Sequence, residues 1–308
     1  MPTLHLPSQI NDAFGAPIGH MFRLIDWISQ RSQYEHIELD YSGCRFAHPF
    51  YSVAIPLVIQ QFKRKGYQSI ILKKNFGKIS VNEYMGYIKF PEGIDPLDTE
   101  DPAKYLEKYK GKTYIPLICF PVGEGPEVSG IRDHFLSAVN KLLTTITGAT
   151  GALRHALMYL IDETVNNVLH HSEDERGYLL AQYYPNKGYL DLAIVDIGNT
   201  ILQTYQKLDK YLHVNTHKLA MEAAMAGKST KSLDVDRGFG ISTSKRMLTE
   251  GLHGKYFLYS GHVYNIHTDE QNVVTELPEN IFWQGAYACM RIPDSVPKGF
   301  NPADYYEG

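Results

Sequence analysis

Leu153-Arg-His-Ala-Leu-Met-Tyr-Leu-Ile-Asp-Glu-Thr-Val-Asn-Asn-Val-Leu-His-His171 is the stretch on which the reading of this chain turns. Leu153, Ala156, Leu157, Leu160, Thr164 and Val168 recur at about 100° per residue, the spacing of one face of an α-helix. On that wheel Asn167 lies about 20° from Leu160, His171 about 20° to the other side, and Glu163 about 60° away. Three polar side chains therefore share the inward stripe of an otherwise amphipathic helix. A carboxylate and an amide so placed must be paired or must face a ligand. Glu163 and Asn167 are four residues apart, so they stand one turn apart on one face. There a carboxylate can orient and deprotonate a water, and an amide oxygen can complete the shell of Mg²⁺. The spacing alone is common among helices.

Two patterns downstream favour a ligand. Asp196 ends the apolar run Leu190-Asp-Leu-Ala-Ile-Val-Asp196, followed by Gly198. A strand-end carboxylate can accept a hydrogen bond from an exocyclic amine such as adenine's, and a glycine lets the backbone approach the base. By itself the pair is also what a strand-end turn looks like. Arg237-Gly-Phe-Gly240 opens a helical segment. Glycines before a helix N-terminus free backbone N–H groups for phosphate oxygens, aided by the helix dipole. Ala226-Gly-Lys-Ser-Thr230 suggests a P-loop, but that loop needs a glycine where Glu222 stands, so this reading is rejected.

Bulk properties bound the rest. The chain has 308 residues, 44% of them hydrophobic, enough for two domains with a real core. A net charge of −4 makes no electrostatic case for nucleic acid, and Lys63-Arg-Lys65 with Lys73-Lys74 reads as solvated element ends. Cys44, Cys119 and Cys289 are widely spaced, which fits a reducing compartment better than a disulfide framework. With no leader pattern and no apolar run near 18 residues, a soluble, cytoplasmic protein without a membrane partner is expected.

Along the chain, residues 8–32 read as a helix, 36–40 as a strand, 49–65 as a helix stopped by Gly66, and 69–72 as a strand. That order predicts a parallel crossover. A helix near 79–88 follows, then an irregular connection over 91–112, a strand at 113–120 and a loop at 121–129, where a domain boundary is placed. Helices are expected at 130–147 and 152–171, a hairpin over 177–195, helical pieces over 200–226, a helix at 240–250, and strands at 255–260 and 286–292. The expected class is α+β: a small α/β domain over 1–125, a domain with a mixed sheet and helices on one face over 126–295, and a tail over 296–308.

Glu163-Thr-Val-Asn-Asn167-Val-Leu-His-His171, Val195-Asp-Ile-Gly198-Asn-Thr200 and Arg237-Gly-Phe-Gly240-Ile-Ser-Thr-Ser-Lys-Arg-Met-Leu, in this order, resemble the N box and the two glycine boxes of the GHKL ATPase superfamily. That superfamily holds gyrase, the large heat-shock chaperone, histidine kinases and mismatch-repair ATPases. Ser260-Gly261 and Gly285-Ala-Tyr-Ala-Cys-Met-Arg-Ile-Pro293 resemble the domain's usual ending, and the E-x-x-x-N-x-x-x-H form looks most like the anti-sigma-factor kinases. Thr200 stands where a second glycine is usual, and Ala286 where the closing strand commonly has Thr.

The resemblance covers about 130–293 and implies a Bergerat-type α/β sandwich that binds ATP and Mg²⁺. Glu163 would be the catalytic carboxylate and Asn167 the metal ligand. Asp196 would hold adenine above Gly198, with Thr200 in the same box, and Gly238 and Gly240 would serve the phosphates. Residues 201–237 would form a lid from which Lys228, Lys231 or Arg237 reaches the γ-phosphate. The N-terminal segment Ile37-Glu-Leu-Asp-Tyr-Ser-Gly-Cys44, the helix to Gly66 and Tyr67-Gln-Ser-Ile-Ile-Leu72 resemble a STAS domain. Ser52 is the hydroxyl nearest its phospho-acceptor position, without the usual Asp-Ser pair.

The function so implied is a regulatory ATP-binding protein with a protein partner: a protein serine/threonine kinase, or an ATPase whose turnover drives a shape change. The resemblance also admits a homodimer. A sensor histidine kinase is the alternative, but His155, the histidine just upstream, lies on the helix of Glu163 and cannot reach its own site. A nucleotide-binding scaffold without turnover is the third reading.

Overall fold

A computed structural model describes residues 1–11, 16–32, 35–66, 69–73, 81–99, 101–122, 125–171, 176–228, 230 and 240–306. The N-terminal part contains β1 (Thr3–His5), β2 (Gln9–Ile10), α1 (Ala16–Ser29), β3 (His36–Asp40), β4 (Phe46–Ala47), α2 (Pro49–Arg64), β5 (Ser69–Lys73), α3 (Val81–Tyr87) and α4 (Pro102–Glu107). There follow β6 (Tyr114–Pro121), α5 (Pro126–Thr147), α6 (Gly151–His171), β7 (Arg176–Tyr184), β8 (Tyr189–Asp196), α7 (Ile201–Gln206), α8 (His217–Met225) and α9 (Gly240–Arg246). The last strands are β9 (Lys255–Gly261), β10 (Val263–His267), β11 (Asn272–Glu276) and β12 (Trp283–Pro293). The class is α+β, as the periodicities predict.

The larger sheet has seven strands in the order β11-β10-β9-β12-β8-β7-β6. A mixed sheet is expected from the sequence, but every pairing in this sheet among the described residues is antiparallel. β8 and β9 do run the same way, joined by the helical crossover α7–α9. β12 then inserts between them and pairs antiparallel with both, which removes the parallel contact that the strand–helix–strand order suggests. Its edge strand β6 comes from residues ahead of position 125 and pairs with β7. The parallel ladders lie elsewhere: β3 pairs with β1 and with β5, so the crossover through α2 is parallel as expected.

Helices on one face alone is a further expectation the structure corrects. On β8, β9 and β12 alternate residues face opposite ways. Leu190, Leu192, Ile194, Tyr256, Leu258, Ala288 and Met290 pack with α5, α6, α8 and the π turn Met247–Gly251. Ala193, Val195, Phe257, Tyr259, Trp283, Tyr287 and Cys289 pack with α1 and α2. The sheet is thus covered on both sides, and the N-terminal part supplies the second cover. Local differences have similar causes. The helix expected over 8–32 begins only at Ala16, because Gln9–Ile10 pairs with Phe46–Ala47. The stretch 91–112 contains α4, whose N-cap Asp101 accepts from the Lys104 N–H at 2.9 Å. β10 and β11 were not expected; they form a hairpin at the sheet edge, where polar residues on the outer face blur the alternation.

A buried charged network fastens the second cover to the sheet. His48 N-caps α2, and its Nδ1 accepts from the Phe50 N–H at 3.2 Å. The proton therefore sits on Nε2, which donates to Asp191 Oδ2 at 2.9 Å. Arg291 donates to the same carboxylate through Nε and Nη2, each at 2.8 Å. The Tyr287 hydroxyl donates to the Phe50 carbonyl. Burial lowers the pKa of His48 even beside the Asp191 carboxylate, so the folded protein keeps this imidazole neutral. The unfolded chain takes a proton near about pH 6.5. Stability is therefore full above that pH and falls below it, as the unfolded state binds protons first. Thermal unfolding should show a lower midpoint at pH 5.5 than at pH 7.5, with a smaller drop in His48→Gln; a flat profile would exclude a neutral buried His48.

Candidate functional site

The helical stripe behaves as its periodicity requires. Leu153, Ala156, Leu157, Leu160, Thr164 and Val168 are buried, and the Thr164 hydroxyl returns to the Leu160 carbonyl at 2.7 Å. Glu163 and Asn167 are half-buried at the edge of that stripe. Asn167 lines a cleft between α6, the end of β8, the α7–α8 segment and α9. Glu163 is placed by Gly240. A Cβ added at Gly240 would come within 1.7 Å of Glu163 Oε1 and 2.4 Å of its Cδ. The glycine that opens α9 is thus first of all the seat of a carboxylate, a role that its position ahead of a helix does not announce.

Asp196 is held from three sides at the end of β8 and is 3% exposed. Its Oδ1 accepts from the Gly198 N–H at 2.7 Å and its Oδ2 from the Ala286 N–H at 3.3 Å. Its carbonyl accepts from the Trp283 indole at 2.9 Å. β12 shifts register between Trp283 and Tyr287, and Gly285 in that bulge has φ +93°. A Cβ there would meet the Asp196 carbonyl at 2.5 Å and Oδ1 at 2.6 Å. Only a glycine allows both the backbone conformation and the approach. Two backbone donors orient the carboxylate, and Asp196 still lines the cleft.

The remaining residues named from the sequence separate into four groups. Lys228 lines the cleft with Asn167, Asp196 and Gly240. Gly198 and Thr200 serve the frame. The Gly198 N–H goes to Asp196, and Thr200, fully buried, N-caps α7 by accepting from the Gln203 N–H at 3.2 Å. A threonine in place of a second glycine therefore starts a helix rather than touching the cleft. Lys231, Arg237 and Gly238 lie outside the described residues, as does the side chain of His171. Ser52 is 1% exposed within α2, closed to any phosphate donor in this arrangement.

Sequence reasoning missed other parts of the wall. Tyr256 and Leu258 on β9, and Ala286 and Ala288 on β12, form a floor at two-residue spacing. Burial, then Cys289 and Glu163 nearby, push the Tyr256 phenol well above its usual pKa, so it stays protonated beside Glu163. The alternation in both strands carried this signal, since residues on the face of Ile194 share a side with the Asp196 carboxylate. Asn199, Thr204 and Thr230 add polar groups. Among the described residues no group of three or more His, Cys, Asp or Glu could hold a metal by itself, so Asn167 would need oxygens from a ligand to complete a cation's shell.

The arrangement combines an apolar slot with a fixed carboxylate at the strand end, an amide on α6 and a lysine just beyond α8, with Glu163 packed against Gly240 of the wall. Such a cleft suits a flat heteroaromatic group that offers an N–H donor and carries an anionic extension. Comparison with protein-family models, with curated proteins and with solved structures finds no match to this chain. No helix among the described residues is long and apolar enough to cross a membrane.

Proposed function

We propose that the cleft binds ATP with Mg²⁺, in the manner of the GHKL ATPases that the sequence resembles, and that the chain is a regulatory protein acting on a protein partner. The observation that carries this reading is the meeting in one cleft of Asp196, oriented by two backbone N–H groups, with Asn167 and Lys228, next to a Glu163 that packs against Gly240 of the cleft wall. Asp196 accepts the exocyclic amine of the base over a floor of Ala286, Ala288 and Leu258. Asn167 offers its amide oxygen toward the phosphates, and Lys228 offers a cation from the lid. Bound Mg²⁺ would neutralise phosphate charge and polarise the terminal phosphoryl group. Glu163 would orient the attacking hydroxyl or water.

The partner follows from the N-terminal part, read here as STAS-like. Ser52 is enclosed, so it is not the acceptor in this arrangement, and the proposed acceptor hydroxyl is supplied by a separate protein. Titration calorimetry with ATP and Mg²⁺ tests the site. The native chain should bind, and Asp196→Asn, which replaces an acceptor oxygen by a donor toward the base amine, should weaken binding by 100-fold or more, on the order of 3 kcal/mol. Equal affinity in both would remove the base assignment. Label from γ-phosphate on a partner protein would mark a kinase, and release as free phosphate alone a switch driven by hydrolysis.

A further inference from the structure

Lys245 is an unusual residue to find where it is. It lies on α9, five residues after the glycine that seats Glu163, and is 6% exposed. Burial lowers its pKa, with Arg246 adding to the effect and Glu250 opposing it. Its ammonium donates to the Met225 carbonyl at 3.1 Å. Met225 is the last residue of α8, and its carbonyl is one of the acceptors that a helix end leaves without an intrahelical partner.

The end of α8 is built to aim the chain. Gly227 has φ +78°, its N–H donates to Ala224 O at 3.1 Å, and the Lys228 N–H donates to Ala223 O at 3.0 Å. These two bonds are the pair that closes a helix in a left-handed glycine turn. The Lys228 carbonyl accepts from the Tyr205 hydroxyl. The lysine ammonium satisfies the Met225 carbonyl, which the turn leaves over. Lys228 and Thr230 then enter the cleft wall. One helix, α9, therefore holds both the seat of Glu163 and the anchor of the segment that carries Lys228.

We infer that Lys245 is a positioning residue: it fixes the point at which the chain leaves α8 and thereby sets Lys228 at the phosphate end of the cleft. The inference rests on the proposed nucleotide site, because the phosphate end is defined by that reading. A lysine buried in the last turn of α9 would otherwise be replaceable by methionine, which keeps the stem and fills the same space. The charge matters here because the helix C-terminus is the negative end of the dipole, where a cation is stabilised.

The test compares ATP·Mg²⁺ with adenosine. Adenosine reaches only the base end, at Asp196, whereas ATP also needs the segment of Lys228. In Lys245→Met, adenosine affinity should stay unchanged, ATP affinity should fall about tenfold, and the Gly227 and Lys228 amides should exchange hydrogen faster. Lys245→Arg, which keeps the charge and the donor, should restore part of the ATP affinity. Should Lys245→Met fail to fold, Lys245→Gln keeps an N–H donor without the charge and should show a smaller loss of the same kind. Unchanged ATP affinity, or equal losses for ATP and adenosine, would overturn the inference. A native chain that binds neither ligand would instead overturn the nucleotide site itself and the inference with it.

Discussion

Asp191→Leu is expected to cost about 3–5 kcal/mol of stability and to lower the thermal midpoint by on the order of 10 °C. Asp191 is fully buried in the middle of β8, and its two oxygens take one hydrogen bond from His48 and two from Arg291. Removing the carboxylate takes away the counter-charge that Arg291 pairs with at the junction between α2 and the sheet. It also leaves the His48 Nε2–H without an acceptor in a site closed to water. Arg291 keeps the face of Tyr189, 4.0 Å from its guanidinium carbon. Replacing the whole network, as in His48→Phe with Asp191→Leu and Arg291→Met, should recover much of the loss, because the desolvation of three polar groups is then no longer required. Chemical denaturation of the single and triple variants checks both statements. A single-variant loss below about 1 kcal/mol would mean that the network is not the fastening between the two covers.

Glu163→Gln should lower ATP turnover by about 10²–10⁴-fold while leaving nucleotide affinity within about threefold. Glutamine keeps the size and the hydrogen-bonding reach of the side chain but removes the basic carboxylate that would accept the proton. Gly240→Ala offers an independent route to the same loss. The added methyl would occupy the space of Glu163 Oε1, so the carboxylate remains in the protein but leaves its seat. The helical backbone at Gly240 accepts alanine readily, which makes displacement of Glu163 the main consequence. Phosphate release at saturating ATP and Mg²⁺, with calorimetry for affinity, measures the effect. Normal turnover in Glu163→Gln would assign the proton transfer to another group. Loss of turnover in Glu163→Gln but not in Gly240→Ala would show that the carboxylate works from a second position.

Much of the site was legible because its residues break local rules. Glu163 and Asn167 interrupt an apolar helical stripe, and Asp196 ends an apolar strand beside a glycine. Each exception survives in the fold for a reason a reader of sequence can state. Thr200, at a position that resembles a glycine box, is an N-cap, and Gln203 three residues later completes the capping box. The double-sided sheet is not what the sequence reading expects, although one strand carries a sign of it. Leu190-Asp-Leu-Ala-Ile-Val-Asp196 is apolar at alternate positions on both faces, as a strand buried on two sides must be. What covered the second face was not written in that strand.

Periodicity, capping residues and the glycine positions are local properties, and they set the helices, most of the strands and the polar exceptions on α6 and β8. They act over a few residues, so a sequence displays them directly. The placing of β12 between β8 and β9, the docking of α1 and α2 on the back of the sheet, the seat of Glu163 over Gly240 and the lysine at the end of α8 all join residues far apart in the chain. Those contacts were decided by tertiary packing, because a buried charge or a missing Cβ has meaning only once its neighbour has arrived.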